Sequence, residues 1–194
     1  MGIAWGCQTR ADLLDEKTVK AMASANCKYI DLGIESFDQR ILDDVKKDLD
    51  VPAALESVRL VKKYGLDTKI NILFGASPLE TIDTINATMR MVKKMRVDQV
   101  MYSICTPWPG TEMYDRAKKE GWFVYGDYRT CDNDRESIIQ FPHLSKKELE
   151  KAIRRANRTF FLNPRFILKN IFTTGIFNFS NIKDSIRAVI NKIR

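Results

Sequence analysis

Residues 68–95, TKINILFGASPLETIDTINATMRMVKKM, read as one strand followed by one helix. Residues 68–74 hold Ile70, Ile72, Leu73 and Phe74 and read as a strand buried on both faces. After the Gly75–Pro78 turn, Leu79, Ile82, Ile85, Met89, Val92 and Met95 recur at helical spacing, which predicts a helix over 79–95 with one core-facing stripe. The same unit repeats on both sides. Residues 3–9 and 28–33 are β-prone, and Asp15 is placed to cap a helix between them. A short helix is expected over 38–46 and a longer one over 52–64, with Pro52 in its first turn and Gly65 positioned to stop it. Residues 99–104 give a fourth strand and 111–120 a further helix. Strand and helix in strict alternation imply a parallel sheet with right-handed crossovers. The expected fold class is α/β, a partial (β/α) barrel of TIM type followed by a helical tail. It is half a barrel or less, since a full one needs about 250 residues. Residues 3–9 and 99–104 are left as edges. Because the chain starts almost inside a strand, further elements are expected upstream.

Residues 122–143 contain Gly126, Asp127, Asp132, Asn133 and Asp134 and read as irregular. A helix follows, because Ser145 and Glu148 form an S-x-x-E capping box and Leu144 can staple against Leu149. Asn163-Pro164 ends it. A second short helix is expected over 165–172; beyond a turn at Gly175, Ile182, Ile186, Val189, Ile190 and Ile193 give a terminal amphipathic helix with a basic outer face. The expected organisation is a partial barrel over 1–125, an irregular linker over 126–143 and a basic helical tail over 144–194.

Hydrophobic residues at 44% and charged residues at 29% describe a globular rather than a disordered chain. No apolar run approaches the ~18 residues that cross a bilayer, and MGIAWGCQTR lacks the charged and apolar regions of a signal peptide. Cys7, Cys27, Cys105 and Cys131 are scattered, with no CxxC or CxxxCxxC spacing. That argues against a disulfide framework and a self-contained zinc or iron–sulfur site, and fits a reducing cytoplasm. The formal charge of +7 is unevenly divided: residues 1–143 hold 20 Lys+Arg against 22 Asp+Glu, and residues 144–194 hold 12 against 3. Such asymmetry marks the tail as a segment with its own surface role. It is either the solvated face of helices packed on the barrel or a contact with an anionic membrane surface, as basic amphipathic helices make. Nucleic-acid binding is not expected, because no recognition motif accompanies the charge.

In parallel α/β folds ligands bind beyond the carboxyl ends of the strands. Four such ends, CQTR at 7–10, GIES at 33–36, GASP at 75–78 and CTPWPGT at 105–111, would converge on one rim. Glu35 and Arg10 can grip hydroxyl and carboxylate groups of a polar ligand. Gly75 lets a backbone approach closely, and the main chain around Ile72 can bond a flat base. Cys7 and Cys105 are placed to face that cavity, whereas His143, just ahead of the Ser145 cap, has no expected catalytic role.

At these ends WGCQTR, YIDLGIESFDQRIL, KINILFGASPLET and SICTPWPGTEMYD resemble, in order, the second half of the radical S-adenosylmethionine (SAM) core. The branch they are most similar to is the cobalamin-binding one, which includes the anaerobic magnesium-protoporphyrin ester cyclase. The resemblance covers about residues 3–121, and FPHLSKKELEKAIRRANRTFFLNPRFIL is similar to the helical tail of that branch. It implies a partial barrel holding SAM across its strand ends, beside a four-iron (4Fe-4S) cluster on a CxxxCxxC loop. Reductive cleavage of SAM to a 5′-deoxyadenosyl radical would then abstract hydrogen from a small-molecule, lipid or pigment-like substrate, with cobalamin as a candidate further cofactor. Carried over by that resemblance, Glu35 contacts the SAM ribose and Ser36 shapes its site. Arg10, or else Lys47, meets the methionine carboxylate; Ile72 and Gly75 line the adenine, and residues 106–111 close the rim. The sequence departs from the family in lacking CxxxCxxC and in reading GASPLET where GxPGET is usual. The implied role is one part of such an enzyme, inactive without its missing N-terminal half. The alternative is a non-catalytic half-barrel that acts as a binding or scaffold module through its basic tail.

Overall fold

The computed structural model describes residues 2–173, with side chains through residue 168. The helix expected from Ile182 to Ile193 and the Gly175 turn lie outside the described residues. Four strands, β1 (Trp5–Arg10), β2 (Cys27–Glu35), β3 (Asp67–Phe74) and β4 (Gln99–Ile104), form one sheet in the order β1-β2-β3-β4. All neighbouring pairs are parallel. Between and after them lie α1 (Glu16–Ser24), α2 (Gln39–Asp44), α3 (Val51–Lys63), α4 (Ile82–Met95), α5 (Glu112–Lys119), α6 (Lys146–Phe161) and α7 (Pro164–Thr173).

Local chemistry sets the helix starts. The Asp15 carboxylate accepts the Thr18 N–H at 2.7 Å ahead of α1, and Asp38 accepts the Arg40 N–H at 3.0 Å ahead of α2. Thr81 and Thr84 exchange side-chain and backbone bonds at the start of α4, as Ser145 and Glu148 do for α6. The Thr81 box explains one departure from expectation. The helix predicted over 79–95 begins at Ile82, and Leu79 is left in the preceding turn, 48% exposed.

The period-2 alternation of the strands divides the sheet into two unlike faces. Ile30, Leu32 and Ile34 of β2, with Ile70, Ile72 and Phe74 of β3 and Val100, Tyr102 and Ile104 of β4, are buried in one core. There α1 packs on β2 and α3 on β3, while Ile85 and Val92 of α4 join the same cluster. The other face carries Asp31, Gly33 and Glu35 of β2, Lys69 and Asn71 of β3 and Ser103 of β4. On the second face of β3, expected to be buried like the first, Asn71 is buried among polar side chains while Lys69 and Leu73 are only partly so. On the second face Lys69 Nζ donates to Asp31 at 2.7 Å and Asn71 Nδ2 donates to the same carboxylate at 2.8 Å.

The β4 edge is partly covered near its carboxyl end. Ile104 N–H donates to the Asn133 carbonyl at 2.7 Å, and the Ser103 hydroxyl donates to Asp134 at 3.1 Å. Residues 122–141 hold no helix, yet Trp122, Phe123, Ile138, Ile139 and Phe141 are buried. Val124 donates to Ile138 and Gln140 to Trp122, both at 2.9 Å, so this stretch folds back on itself. Helix α6 then packs on β4 and α4.

Candidate functional site at the strand ends

The carboxyl ends of all four strands share one rim, and its β1–β2 corner is built around Glu35. Register slips between Gly33 and Glu35, which pair with Asn71 and Ile72, so Ile34 is an extra residue in β2. Such a bulge bends the strand and re-aims the side chain that follows. Glu35 takes φ +71°, and Ser36 N–H donates to the Ile34 carbonyl at 3.0 Å, closing a three-residue turn. A non-glycine residue held there stores about 1–3 kcal/mol of strain, a pattern that clusters at functional sites.

Lys47 Nζ donates to Glu35 Oε1 at 2.9 Å, and both side chains are largely buried. Gly33 makes room for the pair, since a Cβ there would stand 3.3 Å from Glu35 Oε1 and 3.4 Å from Lys47 Nζ. Lys47 is aimed by a tight turn in which Lys46 and Asp48 have φ +54° and +49°. Arg10 fastens that turn: Nη2 donates to the carbonyls of Lys47 at 2.8 Å and Asp48 at 3.0 Å. Its Nε and Nη2 also bond the two carboxylate oxygens of Asp12 at 3.0 and 3.1 Å. The Arg10 guanidinium accordingly holds the Asp12 carboxyl below its ordinary range. Arg10, Lys47 and Glu35 therefore meet as one linked corner, with Arg10 already engaged as a positioning residue.

The other predicted residues fall around this corner in different ways. Ser36 is buried, and its Oγ accepts the Asp38 N–H at 3.1 Å, supporting the entry to α2. Ile72 is in register with Glu35, but its side chain is buried on the helix-covered face with Ile70 and Phe74. Only its main chain reaches the rim corner. Gly75, at the end of β3, has φ +73°, and its N–H donates to the Glu80 carboxyl. Its missing Cβ faces Leu149 of α6 at 3.4 Å. Burial pushes the Glu80 carboxyl up to about 8 against the opposing effect of the Gly75 bond, with Asp38 adding to the rise. His143 completes this support, its Nε2 lying 2.9 Å from the Glu80 carbonyl oxygen.

Between the ends of β3 and β4 and helices α2 and α5 lies a cavity of about 190 Å³. Leu73, Ala76, Cys105 and Met113 give it apolar lining, and two ion pairs supply the rest. Lys46 Nζ bonds Glu112 at 2.7 Å, and Arg116 Nη1 bonds Asp44 at 3.0 Å. The Ser77 hydroxyl also donates to Asp44 at 2.7 Å, which ties α2, the β3 turn and α5 together. Cys105 lines the cavity as expected, and burial pushes its thiol up to about 12, with Glu80 and Glu35 adding to the rise. Cys7 does not reach it; its side chain packs against the core, near Cys27. The two ion pairs escaped the sequence reading because their partners are 66 and 72 residues apart. The Asp31–Lys69–Asn71 cluster was within reach, through the alternation of Lys69 and Asn71 along β3.

Residues 1–92 match the family model described as the radical SAM superfamily. The chain is 27% identical over 170 residues to the anaerobic magnesium-protoporphyrin IX monomethyl ester cyclase of Rubrivivax gelatinosus, covering 86% of this chain and 30% of that protein. The first 92 residues thus carry a radical SAM domain match. The chain is also 29% identical to an uncharacterized methyltransferase of Pyrococcus horikoshii, over 89% of its own length and 37% of the relative. It thus spans about a third of the curated relatives it matches. Among solved structures, the archaeal Elp3 of Methanocaldococcus infernus with its N-terminus deleted superposes with a TM-score of 0.63. That match, at 22% identity, covers 84% of this chain and 34% of the other, and it shows the shared fold.

The four-iron cluster of radical SAM chemistry finds no ligand set here. Among the described residues no three His, Cys, Asp or Glu side chains group to hold a metal. The strand-end rim suits an organic ligand better. Its cavity is smaller than the roughly 300 Å³ at which small-molecule pockets begin, so it can enclose only a portion of one.

Proposed function

We propose that this chain supplies the SAM-binding strand ends and the wall of the radical cavity in a radical SAM enzyme. The reaction would be methyl transfer, cyclisation or a related step on an organic substrate of pigment, lipid or amino-acid size. The observation that carries this reading is the bulged Glu35, paired with Lys47 over Gly33 at the rim. Its carboxylate oxygens would accept ribose hydroxyls. Arg10 and the 46–48 turn would hold Lys47 close to the methionine carboxylate. Ser36 would keep the turn rigid, while the Ile72 main chain, Gly75 and the apolar cavity at Cys105 and Met113 would receive the adenine. When bound, SAM supplies the radical chemistry; these residues bind it, orient it and exclude water. Cobalamin belongs to the proposal through the resemblance to the cobalamin-binding branch.

The test is SAM affinity in the holoenzyme that contains this chain. Glu35→Ala should weaken binding about tenfold or more, the scale of losing hydrogen bonds to a charged group. Unchanged affinity would remove Glu35 from the site. A second reading, a half-barrel that binds without catalysing, is favoured by the lack of a metal-holding group among the described residues. Co-purification with a polypeptide carrying CxxxCxxC would count against it.

A further inference from the structure

Opposite the strand-end rim, a groove of about 540 Å³ runs between the last turns of α4 and the α6–α7 corner. Arg90, Lys93, Lys94 and Arg96 on one side and Arg165 on the other make its border basic. All five are exposed. Among the described residues none of these side chains has an acidic partner within ion-pair distance. The one acid lining the groove, Asp98, accepts the Thr68 N–H at 2.7 Å. Nor are the cations needed to cap α4. Lys62 of α3 already bonds the carbonyls of Met95 and Arg96, at 2.8 and 3.0 Å.

The groove lining is apolar beneath that border, with Met89, Phe160 and Phe166. Beside it Leu162, Ile167 and Leu168 are 52%, 41% and 52% exposed, an unusual concentration of large apolar side chains on one short stretch. From Arg90 to Arg96 the α4 cations spread over ~9 Å of helix axis. They form a plane of charge rather than a cradle converging on one anion. Spread cations with protruding apolar side chains match the polar and acyl layers of an anionic membrane surface.

We propose that this face, the α4 C-terminal turns together with the α6–α7 corner, docks the protein on anionic phospholipid. The membrane contact expected from the tail alone is thereby extended to a folded part of the barrel. The inference stands apart from the radical SAM reading, because binding is measured without SAM, iron or reductant.

The experiment is co-sedimentation of the 194-residue chain with vesicles of phosphatidylcholine alone or mixed with phosphatidylglycerol, at low and high salt. Salt-sensitive pelleting with the anionic vesicles only is expected. The double variant Lys93→Ala/Lys94→Ala should weaken it about thirtyfold, with circular dichroism and thermal melting unchanged. Leu168→Ser should weaken it as well, through the apolar contribution. Equal pelleting of the lysine variant and the wild type, with loss only on Lys183→Ala/Arg187→Ala, would assign binding to the tail and overturn the proposal. Equal pelleting with neutral vesicles, or retention on RNA without any on vesicles, would overturn it too.

Discussion

Glu35 at φ +71° and Glu80 at the base of the Gly75 turn are two carboxyls in which local structure opposes residue preference. The first carries the proposed ligand contact. The second is a buried acid that props the β3 turn, and it makes stability depend on pH. Its folded-state value of about 8 stands above the ordinary 4.5, so the folded protein binds a proton that the unfolded chain releases. That contribution is fully present below about pH 4.5 and is lost as pH rises through about 8. Glu80→Gln keeps an acceptor for the Gly75 N–H and deletes the titration. Wild-type melting temperature should therefore fall relative to the variant between about pH 5 and 9. Parallel curves would mean that the carboxyl is solvated in the native protein.

At the scale of elements, α6 is the piece that joins the tail to the sheet. Leu149 faces Gly75 at the end of β3, and Leu149, Ala152 and Ile153 are buried. Its start is held by the Ser145–Glu148 box, which satisfies two first-turn donors. Ser145→Ala should cost about 1 kcal/mol, read as a lower urea midpoint with an unchanged slope. No shift would mean that the buried Leu144 and Leu149 hold the helix start without the cap.

On the scale of the whole molecule, four parallel strands give a rim with one charged corner and one small cavity, but no place for a metal cluster among the described residues. Iron and sulfide reconstitution of this chain alone should therefore yield no 4Fe-4S absorbance or paramagnetic signal. A stoichiometric cluster would show that the scattered thiols can rearrange into a ligand set. The polar second face of the sheet, with Asp31, Lys69 and Asn71, also belongs to this scale, since it needs β2 and β3 side by side.

Much of this was legible in the sequence. Strand–helix alternation, the capping boxes and the Pro and Gly stops act within a few residues, so every predicted strand and helix in the described region forms, with shifts of a few residues at the ends. The same local signals brought Glu35 and Gly75 to strand ends and Lys47 to the turn after α2. What the sequence left open needed distant partners. Whether β3 is covered on one face or two, that Ile72 turns its side chain to the helices, that Cys7 joins the core and that Arg10 is spent on the 46–48 turn all follow from packing. So do the α2–α5 ion pairs and the basic groove beside α7. Short-range hydrogen bonding and periodicity are written in neighbouring residues, whereas which charges meet and which faces stay open is decided only once the chain has closed over tens of residues.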